Sequence, residues 1–86
     1  MAEFLVELYV SRGDPDTVGH DLRQMRRVAG ELTAEGTPVQ VLRSILVPAE
    51  ETCFVLFEAG SLDVVHEAAR RASLSFEHVA EAATGN

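Results

Sequence analysis

The sequence has little positive charge: arginine and lysine together number 7, against 14 aspartates and glutamates, and the net charge is -7 at pH 7. So acidic a chain repels phosphate backbones and anionic membranes, which excludes nucleic acid and lipid surfaces as partners. The sequence also lacks an apolar run of about 20 residues that could span a bilayer. Its first residues do not have the pattern of a secretion signal. We therefore expect a cytoplasmic protein.

Cysteine is nearly absent as well. The single cysteine, Cys53, has no partner for an internal disulfide and lies in the apolar run TCFVLFE. A reactive thiol needs a positive, partly exposed setting, which this run does not supply. We expect Cys53 to fill space in the core.

The chain is short, and we assign its 86 residues to a single domain, 1–86. A domain of this size buries only about 60% of the surface that its unfolded chain exposes. A hydrophobic fraction of 47% is high for so small a protein. This composition predicts apolar surface that a partner covers.

Four segments have the residue pattern of strands. They are Glu3–Val10, Pro38–Val47, Thr52–Ala59 and Phe76–Ala83. In the first strand, one face carries Phe4, Val6, Leu8 and Val10, and the other carries Glu3, Leu5, Glu7 and Tyr9. In the second, the residues predicted to share a face are Val39, Val41, Arg43, Ile45 and Val47. Thr52–Ala59 is apolar on both faces from Cys53 to Phe57, which is typical of a strand covered on both sides.

Two helices are predicted between these strands. Asp14 and Pro15 are start signals for the first helix, and Gly36 ends it. Its apolar stripe is Val18, Leu22, Met25, Ala29 and Leu32. The second helix follows Gly60 and Ser61, and its buried residues are predicted to be Leu62, Val65, Ala68, Ala69 and Ala72.

The order of the elements predicts an α+β protein with a ferredoxin-like βαββαβ fold. Phe76–Ala83 has helical propensity, but a fourth strand completes the sheet, so we assign it as an edge strand. The usual strand order of this fold, 4-1-3-2, places the two most apolar strands at the centre of the antiparallel sheet. Because two helices cover only one face, we expect a second copy to cover the other and form a homodimer.

Carboxylates within apolar strands are the candidate ligand-binding residues, since burial raises the pKa of a carboxylate and prepares it for chemistry. Glu7 and Glu58 lie in the two central strands, and Tyr9 shares the face of Glu7. Arg43 completes the set, because the alternative to a chemical role for Glu7 is an ion pair with Arg43 or with a partner chain at the dimer interface. Glu58 is expected to end its strand near water, whereas an assembly role and a chemical role both remain open for Glu7.

The three histidines are too far apart in sequence to form a recognisable metal motif. His20 and His66 are expected on helix surfaces, while His78 would share a strand face with Ala80 and Ala82. His78 and Glu7 are therefore the candidate metal ligands.

The second half of the chain resembles a family of small actinobacterial proteins of unknown function that has a nickel-binding representative. The matching pattern comprises Leu42, Ser44, Phe57-Glu58-Ala59, Val65, Glu67, Arg70, Arg71, Ala72, Val79 and Glu81. Where the family often has tyrosine, lysine and histidine, this chain has Ile45, Glu51 and Ala68. The resemblance implies a dimeric α+β barrel and makes nickel a possible cofactor.

Three functions follow from these observations. The first is a small homodimer that binds a small molecule or a divalent metal such as nickel. The second, by analogy of fold, is a cofactor-independent isomerase, cyclase or monooxygenase with a closed apolar pocket between sheet and helices. The third is a structural or regulatory interaction domain.

Overall fold

A computed structural model describes residues 1–83 and places four strands and two helices in the order βαββαβ. The remaining residues of the predicted domain, 84–86, lie outside the described part. The elements are β1 (Ala2–Tyr9), α1 (Pro15–Ala34), β2 (Val39–Val47), β3 (Thr52–Ala59), α2 (Leu62–Ala72) and β4 (His78–Ala82). Short 3-10 turns at Ser11–Gly13 and Pro48–Glu50 join β1 to α1 and β2 to β3.

The four strands form one antiparallel sheet in the order β2-β3-β1-β4. The predicted ferredoxin-like α+β fold and its strand order are thus confirmed. The last element is a strand despite its alanine and glutamate content, because pairing with β1 outweighs local helix propensity. No helix within residues 1–83 is long and apolar enough to cross a membrane.

Successive side chains of β1 and β3 point to opposite faces of the sheet, and only one of these faces is buried. Phe4, Val6, Leu8 and Val10 are buried beneath the helices, as predicted. Cys53 is 1% exposed in the same layer, which confirms it as a core residue. Burial raises the pKa of the Cys53 thiol, and the charge of Asp21 adds to this effect. The thiol is therefore held in its protonated, unreactive form.

Both helices pack small or apolar residues on the sheet. Asp14 caps α1 by accepting a hydrogen bond from the backbone N–H of Asp16 at 3.0 Å, as its position before Pro15 predicts. Most of the predicted stripes are buried, but Leu62 is 41% exposed, so its assignment to the core was wrong. It is the first residue of α2 and lies beyond the edge of the core.

The predicted face of β2 was wrong for half of the strand. The register with β3 shifts between Val41 and Arg43, which is a β-bulge. Val39 and Val41 are buried toward the helices, whereas Arg43 and Ile45 are exposed. The extra residue reverses the alternation and keeps the Arg43 guanidinium out of the core, where an unpaired charge would be costly.

Ion pairs link the end of α1 to α2. Arg71 donates to both carboxylate oxygens of Glu35, at 2.8 and 2.9 Å, and its Nε donates to Glu67 at 2.9 Å. Arg70 also donates to Glu67. These hydrogen bonds, that from Arg70 first, lower the pKa of Glu67 to about 2. Glu67 and Arg71 are four residues apart on α2, a spacing at which helical side chains meet.

Two glycines differ in what the fold requires of them. Gly13 has a φ of +59°, and a Cβ there would lie 2.5 Å from the Cα of Pro48. The turn after β1 therefore packs on the β2–β3 connection through a residue without a side chain. Gly30, in the middle of α1, has open space around the place of its Cβ, so nothing in the fold requires glycine at that position.

Alanine substitution should therefore have opposite effects at the two glycines. We expect Gly13→Ala to lower the free energy of unfolding by about 2 kcal/mol or more, because the methyl group overlaps Pro48 and the backbone is left-handed. Gly30→Ala should raise it by about 1 kcal/mol through helix propensity. Urea unfolding measures both, and changes of the same sign at both positions would contradict this assignment.

The low pKa of Glu67 should make the fold sensitive to acid. Because its pKa is lower in the folded chain than its ordinary value of 4.5, its contribution to stability is complete at neutral pH. The contribution is lost as the pH falls from about 4.5 toward 2. Between these values the unfolding temperature of Glu67→Gln should fall less steeply than that of the wild type. Glu50→Gln, at an exposed glutamate, is the control and should follow the wild type.

Candidate functional site

No part of residues 1–83 covers the sheet face that is turned away from the helices. We call it the open face; it carries Leu5, Glu7, Tyr9, Arg43, Ile45, Phe54, Leu56, His78 and Ala80. Leu5 is 39% exposed and Ile45 is 57% exposed, while Phe54 and Leu56 are half-buried beside them. An apolar surface of this kind, which also carries polar side chains, is typical of an interaction site.

Glu7 and His78 lie directly opposite each other on β1 and β4. Side chains opposed in this way in an antiparallel pair have their Cβ atoms about 5 Å apart. The backbone N–H of Glu77 donates to the carbonyl of Glu7 at 2.8 Å and fixes the start of β4 there. Within residues 1–83 the Glu7 carboxylate has no hydrogen-bond or ion-pair partner. The fold thus brings together the two predicted metal ligands, which are 71 residues apart in sequence.

Tyr9 lies on the open face, but its hydroxyl bonds to a residue of the β2–β3 connection. Its hydroxyl donates to the carboxylate of Glu51 at 3.2 Å, and the same carboxylate accepts the backbone N–H of Arg12 at 2.6 Å. Glu51 holds a left-handed backbone conformation in the β2–β3 connection. Tyr9 therefore ties one end of the sheet together, and the structure does not bring its hydroxyl to Glu7.

Arg43 and Glu58 are not part of the same cluster as Glu7. Arg43 is opposite Leu56 on β3, and β3 separates it from β1, a distance of about 10 Å at the usual strand spacing. In the described part of the chain, Arg43 and Glu7 do not form the predicted ion pair. Glu58 lies at the far end of β3, half-buried and opposite Glu3.

The other histidines are distant from this pair. His20 and His66 are exposed on α1 and α2, as predicted. Within the described residues, no group of three or more His, Cys, Asp and Glu side chains is close enough to hold a metal ion. Residues 1–83 therefore offer a metal the adjacent pair Glu7 and His78, without a third ligand of these types beside them.

The space between the sheet and the helices is filled by side chains. The small gap there, bounded by residues such as Leu8, Met25 and Cys53, has no room for a water molecule. A closed apolar pocket of the kind that an isomerase or monooxygenase needs is therefore absent from this layer of the described chain.

A groove that the sequence did not reveal lies between α1 and the edge strand β2. It encloses about 640 Å³ and is open to solvent, and its walls include Arg26, Gly30, Ala34 and Val41. Gly30 was the available signal, since a mid-helix glycine leaves open space beside the helix. The closeness of Glu7 and His78 was equally hidden, because it depends on strand register rather than on sequence spacing.

Comparison with known proteins supports the fold. No protein-family model matches the chain, and no curated protein matches it significantly. The crystal structure of SCO4226 from Streptomyces coelicolor A3(2) is similar, with a TM-score of 0.82 and 19% sequence identity. The alignment covers 99% of this chain and 100% of that one. At this level of identity the likeness establishes a shared α+β fold with an actinobacterial protein and nothing about activity.

Proposed function

We propose that this chain is a homodimeric binding protein whose open face binds a divalent metal ion or a small ligand through Glu7 and His78. The observation that carries the proposal is their direct opposition on neighbouring strands. A carboxylate oxygen beside an imidazole nitrogen is a donor set that zinc and nickel accept. The sequence resemblance to a family of unknown function that has a nickel-binding representative makes nickel the first metal to test.

A homodimer formed through the open face covers its apolar side chains and brings further metal ligands close to Glu7 and His78. The open face exposes leucine, isoleucine and half-buried phenylalanine to water, and covering that area is favourable by roughly 25 cal/mol per Å² of apolar surface. A second copy on this face also brings a second carboxylate and imidazole pair, which would complete a coordination sphere. Two packed sheets lie about 10 Å apart, so long side chains from both can reach a shared ion.

The dimer is tested by sedimentation equilibrium on a matched pair of leucine substitutions. Leu5 is 39% exposed on the open face, and Leu62 is 41% exposed on α2. We expect the wild type and Leu62→Glu to sediment at about twice the chain mass of 9.3 kDa. Leu5→Glu should sediment as a folded monomer, because it places a charge in the apolar interface. A monomeric wild type, or a dimeric Leu5→Glu, would contradict the proposal.

Metal binding is tested by calorimetric titration with nickel and with zinc chloride. We expect saturable binding, weakened on the order of 100-fold or more by His78→Ala and by Glu7→Gln, since direct ligands matter at least as much as their supporting groups. His20→Ala and His66→Ala are the controls and should bind like the wild type. Equal loss in the control variants, or no heat and no thermal shift with either metal, would sink the metal-binding part.

No specific observation favours the enzymatic alternative. It requires an enclosed pocket, and the layer between sheet and helices is filled in the described chain. A structural or regulatory interaction domain needs only the apolar open face. That function is the outcome if the dimer forms and no ligand binds.

A further inference from the structure

Within residues 1–83, only some of the backbone N–H and C=O groups at the outer edge of β2 have a hydrogen-bond partner. At Val39 the Thr33 hydroxyl bonds both backbone groups, donating to the carbonyl at 3.1 Å and accepting from the N–H at 3.2 Å. These groups therefore point away from β3, toward α1. In an antiparallel ladder such outward pairs recur every second residue, so Val41 directs its own N–H and C=O to the same edge. No side chain of the described residues bonds to them.

The groove beside this edge has room for a further strand. It encloses about 640 Å³ and follows the flank of α1 on which Arg26, Gly30 and Ala34 are spaced one turn apart. A side chain at Gly30 would project into open space. Glycine at that position leaves space for the side chains of an added segment, at a cost in helix propensity that the fold itself does not require.

The charge of the groove favours an acidic occupant. On the second half of α1, Glu31 is paired with Arg27 and Glu35 with Arg71. Arg26 and, one turn earlier, Arg23 have no ion-pair partner within the described residues. In a protein of net charge -7, the unpaired guanidinium of Arg26 in the groove wall, with Arg23 nearby along α1, forms a local site for carboxylates.

We propose that the groove between α1 and β2 binds an extended acidic peptide segment of a partner protein, which adds to the sheet as a fifth strand at Val41. The backbone of the segment pairs with the free N–H and C=O of β2, and a glutamate or aspartate of the segment meets Arg26. Strand addition with charged side chains for specificity is an established mode of peptide recognition. This groove lies beside β2, whereas Glu7 and His78 lie on the open face of β1 and β4. The proposal therefore does not depend on the function proposed for Glu7 and His78.

The probe is a fluorescein-labelled peptide of about ten residues that alternates glutamate with threonine, a length that covers a typical strand. Its binding is followed by fluorescence anisotropy, and the amide signal of Val41 is followed by NMR in ¹⁵N-labelled protein. We expect saturable binding that shifts the Val41 amide. The same peptide with lysine in place of glutamate should bind at least about 10-fold more weakly, because it meets the arginines with like charge.

Two variants and a control locate the site. Arg26→Gln should weaken binding of the acidic peptide about 10-fold or more, and Gly30→Leu, which suits a helix and fills the groove, should abolish it. Arg12→Gln removes an exposed arginine outside the groove and should bind like the wild type. Circular dichroism confirms that each variant is folded.

Several outcomes would overturn the proposal. Absence of binding, equal binding of the lysine peptide, or unchanged binding by Gly30→Leu would each exclude an acidic strand in this groove. Competition by succinate at the same concentration as the peptide would show a simple anion site instead. A Val41 amide shift that depends on protein concentration alone would show that the edge pairs with a second copy.

Discussion

Two helices can cover only one face of a four-stranded sheet, and the central strands of this sheet are apolar on both. The helices therefore determine which side chains become core and which face of the sheet the described chain leaves exposed. Val6, Val55 and Phe57 are fully buried on the covered side. Leu5 and Phe54 have the same apolar character on the other side, with no part of the described chain above them. One face of the sheet thus forms the core, and the other carries the proposed binding surface.

Most of the fold could be predicted from the sequence because its signals are local. Alternation in β1 and β3 follows from the geometry of any strand, and the Asp14-Pro15 start of α1 needs only its own turn. The final strand required one non-local argument, the need for a fourth strand. Leu62 was misassigned because helical periodicity says which direction a residue faces but not how far the core extends.

The candidate site was predictable in its residues but not in its arrangement. A glutamate within an apolar strand is a candidate site residue whatever its neighbours in the fold, so Glu7 could be identified as a candidate from the sequence alone. Its opposition to His78 depends on how β4 aligns with β1, and its separation from Arg43 depends on the strand between them. The hydroxyl of Tyr9 is engaged by Glu51, a contact that depends on the conformation of a short connection.

The bulge at Leu42 should allow β2 to lose one residue without a change in which face its side chains occupy. Between Val41 and Arg43, β2 has one residue, Leu42, that faces no residue of β3. A relative without this residue would have a continuous strand ladder, and its equivalents of Arg43 and Ile45 would still lie on the open face. Loss of a residue from β3, which runs in continuous register with β1, would instead exchange the core and the open face for the rest of the strand. Sequence comparison should therefore allow a gap in the first of these strands and forbid it in the second.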